Sequence, residues 1–78
     1  MSYGYSTRLV KANKKASIKN PGVRLGRACI KHDIPVYNVA ARMGVSRQTV
    51  YNWFSGVNSP RGDTLPRITQ YLHKITSA

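Results

Sequence analysis

Between Val36 and Gly56, two short segments, each carrying an apolar stripe with helical spacing, are joined through only three residues, Gly44, Val45 and Ser46. Val36, Val39, Ala40 and Met43 stand at i, i+3, i+4 and i+7, and Val50, Trp53 and Phe54 at i, i+3 and i+4. Each set marks the buried face of a short helix. Pro35 suits a helix start, and Gly44 can supply the left-handed residue that closes the first helix. Ser46 can then accept an N–H from the first turn of the second. So short a connection forces the two helices to meet at a corner with their apolar faces turned to one core. No run alternates apolar and polar residues with a period of two, so nothing in the chain reads as a sheet.

Two more segments carry helical spacing. After Asn20 as cap and Pro21 as first helical residue, Leu25, Ala28, Cys29 and His32 fall on one side, although Gly22 and Gly26 weaken a helix. Beyond Asp63, which can cap, Leu65, Ile68, Leu72 and Ile75 recur at i, i+3, i+7 and i+10. Pro66 falls in that first turn, where its missing N–H had no helical partner. Residues 56–63, GVNSPRGD, form a loop by composition. A chain of 78 residues holds one small domain. The expected fold class is all-α, a small four- to five-helix bundle.

Charge narrows the partner. Thirteen Lys and Arg stand against two acids, a net charge of +11, which attracts polyanions. Nucleic acid leads that class and an anionic membrane surface comes second. A single cysteine, Cys29, excludes an intrachain disulfide. No apolar run has the length of a signal peptide or a membrane span, so the expected setting is cytoplasmic, at the nucleoid when bound. Residues 1–20 hold Arg8, Lys11, Lys14, Lys15 and Lys19, no acid and few large apolar side chains. Such a composition buries too little to offset its ordering entropy. The sequence therefore divides into a flexible, disordered basic arm over 1–20, with Tyr3 and Tyr5 at its tip, and a helical domain over 21–78.

The corner at Gly44 gives a helix-turn-helix by geometry. With Val50, Trp53 and Phe54 turned inward, Arg47, Gln48, Tyr51 and Asn52 form one exposed stripe toward the start of the second helix. In such a motif that end enters the major groove. Arg can bond guanine O6 and N7 together, and Gln or Asn adenine N6 and N7. Thr49 and Tyr51 can meet a thymine methyl or a phosphate, and Ser46 at the helix start a backbone phosphate. The arm cations Arg8, Lys11, Lys14, Lys15 and Lys19 suit the backbone or the minor groove.

The segments VAARMGVSRQTVYNWFSGVNSP and TLPRITQYL resemble the lambda-repressor-like family, the Cro/C1 or XRE-type helix-turn-helix regulators of bacteria and phages. The likeness covers roughly residues 22–75, and its most specific pieces are Ala40, Gly44, Val45, Ser46, Val50, Trp53 and Gly56 in that order. It implies groove binding by the second motif helix and often a two-fold dimer. Carried over, Arg47, Gln48 and Asn52 match base-reading positions, flanked by Thr49 and Tyr51; Asn58, Ser59 and Arg61 match backbone-contacting ones. Where the family often has a phosphate-contacting Gln, this chain has Pro35, Val36 and Tyr37, leaving Tyr37 or Asn38 to take that role. The family's frequent extra helix and dimerising segment have no counterpart before Ala78. Basic arms that wrap the duplex occur in some relatives.

Other chemistries find little support. Cys29 and His32, at i and i+3, are two ligands where a structural zinc site needs four, so no metal or cofactor is expected. Two carboxylates, Asp33 and Asp63, and no local nucleophile–base pattern argue against an enzyme. The expected function is a sequence-specific, repressor- or Cro-like regulator on double-stranded DNA, with a homodimer as an open option. One alternative is a protein that coats nucleic acid without preference. Another is a small phage factor that uses Tyr37, Tyr51 and Tyr71 against host transcription machinery such as RNA polymerase.

Overall fold

A computed structural model describes residues 5–77 and contains five helices: α1 (Thr7–Lys15), α2 (Pro21–Lys31), α3 (Val36–Met43), α4 (Arg47–Ser55) and α5 (Thr64–Ser77). No strand occurs among the described residues. The apolar stripes meet in one core. Leu25 and Cys29 come from α2, Val36, Val39, Ala40 and Met43 from α3, Val50, Trp53 and Phe54 from α4, and Ile68 from α5. Tyr71, Leu72 and Ile75 pack on it half-buried, while Leu65 at the start of α5 stays outside the core, 37% exposed. His32 departs from the expected apolar side: it is the C-cap of α2 and lies exposed.

The two glycines of α2 have a packing reason. A Cβ at Gly22 would lie 2.7 Å from Trp53 Cβ, and one at Gly26 would lie 2.7 Å from Phe54 Cγ. One turn apart on the same face, they let α2 press directly onto α4. The helix propensity they forfeit, about 1 kcal/mol each, is offset by the close burial of Trp53 and Phe54, 5% and 0% exposed.

The expected flexible arm is corrected over residues 5–20. Residues 1–4, including Tyr3, and Ala78 lie outside the described residues. From Ser6, whose side chain accepts the Leu9 N–H, the chain enters α1. This helix docks against α4 and α2 through Leu9, Asn13 and its C-cap Ala16. The Asn13 side chain is buried, and its Nδ2 donates to Val23 O at 3.1 Å and Phe54 O at 2.7 Å. Arg27 Nη2 returns from α2 to Asn13 O at 2.9 Å, placing a cation at the carbonyl end of α1. Tyr5 stacks on Phe54, ring centroids 6.2 Å apart, and its hydroxyl donates to Ile34 O. Hydrogen bonds supply what the small apolar area of this segment does not.

Candidate nucleic-acid interface

The motif turn is locally determined. Gly44 adopts the left-handed conformation with φ 69°, and Val45 N–H bonds Ala40 O at 3.0 Å. This turns the chain within two residues into Ser46. Ser46 Oγ accepts the Thr49 N–H at 3.2 Å and lies 3.0 Å from Thr49 Oγ1. Thr49 is half-buried, with its hydroxyl engaged at this cap. Ser46 therefore holds α4 in register, while the backbone N–H groups of the first turn remain free of helical partners.

Arg47, Gln48 and Tyr51 are exposed and Asn52 half-buried along one side of α4. Gln48 Nε2 donates to Asn52 Oδ1 at 3.2 Å. The pair leaves Gln48 with its carbonyl oxygen and a second N–H, the complement of an adenine edge. The C-terminal end of α4 is closed by Gly56 in the left-handed region, and both Val57 and Asn58 N–H return to Asn52 O, at 2.9 and 3.2 Å. That anchors the following loop. Asn20 Nδ2 donates to Asn58 O at 3.3 Å, and Pro60 is buried, so Asn58, Ser59 and Arg61 project from a tethered loop with their side chains exposed.

The candidate backbone residues on α3 stand apart. Pro35 precedes α3 with no side-chain cap, and Tyr37, 61% exposed, and Asn38 follow on the first turn. Asn38 lines a cleft with Ala41, Arg42 and Tyr71, where the Arg42 guanidinium lies 5.6 Å from the centre of the Tyr71 ring. It does not join Gln48 and Asn52 in a common cleft.

The side chains expected on a free arm are displayed from α1. Arg8, Lys11, Lys14 and Lys15 are exposed on it, and Lys19 is exposed in the turn that leads to α2. They do not line one cleft. Lys15 borders a cleft with Ala16, Asn20 and Gly56 at the end of α4. Arg8 instead lines a groove of about 520 Å3 between α1 and α4, together with Ser6, Leu9, Ala12, Gln48, Tyr51, Asn52 and Ser55. Ser6, Leu9, Ala12 and Ser55 are neighbours of the stripe that its local spacing does not reveal. The available signal was Ser6, a cap residue followed by Leu9 and by Lys14 and Lys15 at the far end.

Elsewhere the chemistry is quiet. Burial pushes the Cys29 thiol up to about 12, which keeps it a neutral core group rather than a nucleophile. Among the described residues no three His, Cys, Asp or Glu gather to hold a metal, and no helix is long and apolar enough to cross a membrane.

A family model described as helix-turn-helix matches residues 25–76, taking in most of α2, all of α3 and α4, and nearly all of α5, and leaving α1 outside. No curated protein and no solved structure matches the chain.

Proposed function

The chain belongs to the Cro/C1-type helix-turn-helix family of DNA-binding regulators, and from that premise we propose that it is a sequence-specific, repressor- or Cro-like regulator of bacterial or phage origin, acting in the cytoplasm on duplex DNA. The observation that carries this reading is the face of α4: Arg47, Gln48, Tyr51 and Asn52 along one side, with Gln48 and Asn52 bonded to one another. A protein that only coats DNA needs cations, not an ordered amide pair. In this reading Arg47, Gln48 and Asn52 read base edges, with Tyr51 beside them. Thr49 supports the Ser46 cap as well as facing the groove. Tyr37, Asn38, Ser46, Asn58, Ser59 and Arg61 position the protein on the phosphates, and Lys11, Lys14, Lys15 and Lys19 add long-range attraction. In this reading the protein acts by binding DNA alone, without catalysis or a cofactor.

Selection from a randomised duplex pool at physiological salt tests the reading. An enriched motif is expected, and a palindrome with half-sites about 10 bp apart would add a homodimer. Gln48→Ala and Arg47→Ala should each weaken the selected site by about 1–3 kcal/mol and leave random DNA nearly unchanged. A pool retained without enrichment would replace this reading with the coating protein. No retention at all would favour a protein partner such as host polymerase.

A further inference from the structure

We propose that the groove between α1 and α4 seats one sugar–phosphate strand of the bound duplex, so that α1 is a second wall of the DNA interface. The inference rests on the reading of α4 as the groove-entering helix. It adds an element that lies outside the family match.

Three observations carry it. The first is chemical composition. The groove offers the Arg8 guanidinium, the Ser6 and Tyr51 hydroxyls and the Gln48 and Asn52 amides, while Leu9 and Ala12 supply apolar surface between them. No carboxylate lines it. Donors and a cation around an apolar floor match a phosphodiester flanked by deoxyribose, whose phosphate accepts hydrogen bonds and whose sugar face is apolar. The second is placement. Gln48 and Asn52 belong both to the reading stripe and to the groove, so a helix that lays this stripe against base edges brings the neighbouring strand to the groove. The third is rigidity. Asn13 ties α1 to carbonyls of both α2 and α4, and Arg27 ties back to Asn13 O. Arg8 is therefore presented from a docked helix, and Asn13 is its positioning residue.

The test compares the wild-type chain with Arg8→Ala, Ala12→Glu and Lys74→Ala, titrated from low to moderate salt on the selected duplex and on random DNA. Lys74 lies on α5, which makes no contact with α1, and controls for the loss of any one charge. Arg8→Ala is expected to lower the slope of log affinity against log salt by about 0.9, one phosphate contact, with the same fold-loss on both duplexes. Ala12→Glu places a carboxylate where the phosphate would lie. It is expected to cost about tenfold or more on both duplexes through like-charge repulsion, with the helical circular dichroism retained. Ethylation of single phosphates should reveal a position beside the reading site that hinders the wild type and not Arg8→Ala. A changed base preference with an unchanged slope would overturn the seat and make Arg8 a base reader. Arg8→Ala and Ala12→Glu both behaving like Lys74→Ala would also overturn it. If the wild type itself prefers no sequence, the reading of α4 fails. The slope with Arg8→Ala on random DNA then still decides the seat.

Discussion

Helices α1 and α4 each run nine residues from a serine whose side chain accepts the N–H three positions on, yet their buried faces are made of different material. α4 turns Val50, Trp53 and Phe54 inward; α1 turns Leu9, Asn13 and its C-cap Ala16 inward, and the one fully buried of these three is Asn13. The first face is held by apolar burial. The second is held by two hydrogen bonds to carbonyls of other helices, one of them at the C-terminal turn of α4. A hydrophobic periodicity detects the first device and is blind to the second. The partners of a buried amide come from residues 10 and 41 positions away.

The two helices share one residue, and its loss gives the largest expected effect. Phe54 is fully buried, stacks on Tyr5, and accepts the Asn13 amide through its carbonyl. Phe54→Ala should destabilise the chain by about 3–5 kcal/mol, read from the urea midpoint. Amide exchange should show α1 and α4 losing protection together. Protection that disappears from α1 alone would break the comparison, because α1 would then be an appendage rather than part of the core.

Next comes Asn13→Leu, which makes the stripe of α1 easier to read and the protein harder to fold. The substitution leaves the Val23 and Phe54 carbonyls without their donor, at about 1–3 kcal/mol. It also crowds Gly26, where an added Cβ would already lie 2.8 Å from Asn13 Nδ2. Stability equal to the wild type would show that apolar contact suffices at this position and that the hydrogen bonds carry no weight.

This contrast marks what was legible in the sequence. The corner at Gly44, the inward set of α4, the stripe of α3 and the exposed Arg47, Gln48 and Tyr51 rest on local spacing, and they stand in the structure where that spacing puts them, while Asn52 at the end of that stripe is half-buried. α1 depends on contacts distant in sequence, and so does the groove that joins Arg8 to Gln48. The glycines of α2 are an intermediate case. Their cost as helix residues is visible in the sequence, whereas their reason, the approach of Trp53 and Phe54, needs the fold.

Raising the pH separates the groups that each region contributes. Burial holds the Cys29 thiol of α2 neutral, up to about 12 against its ordinary value of 9.0. It also raises the Tyr5 phenol ahead of α1, with Cys29 adding to that effect. In both cases the folded chain keeps a proton that the unfolded chain releases, so stability falls as pH climbs above about 9. The slope for Cys29 approaches about 1.4 kcal/mol per pH unit. Urea midpoints at rising pH should fall less steeply in Cys29→Ala. Tyr5→Phe should lessen the further decline that begins near the ordinary phenol range, to which Tyr71, also raised by burial, contributes the rest. An unchanged slope in Cys29→Ala would mean that the thiol ionises freely and α2 is less firmly covered than the structure shows.

The smallest effects come from the caps, and they test the likeness of the two helices directly. Ser6→Ala and Ser46→Ala remove the same bond, to Leu9 N–H at 3.1 Å and to Thr49 N–H at 3.2 Å, at about 1 kcal/mol each. If the helices differ only in the material of their buried faces, the two losses should be alike in denaturant and additive in the double variant. DNA affinity should then divide them. Ser46→Ala also releases the Thr49 hydroxyl at the entry to the reading face, so it should weaken the selected duplex more than random DNA. Ser6→Ala touches only the rim of the groove beside Arg8 and should weaken both duplexes alike. Equal loss of preference in both variants would mean that α1 shapes the reading of bases as strongly as the turn at Gly44 does.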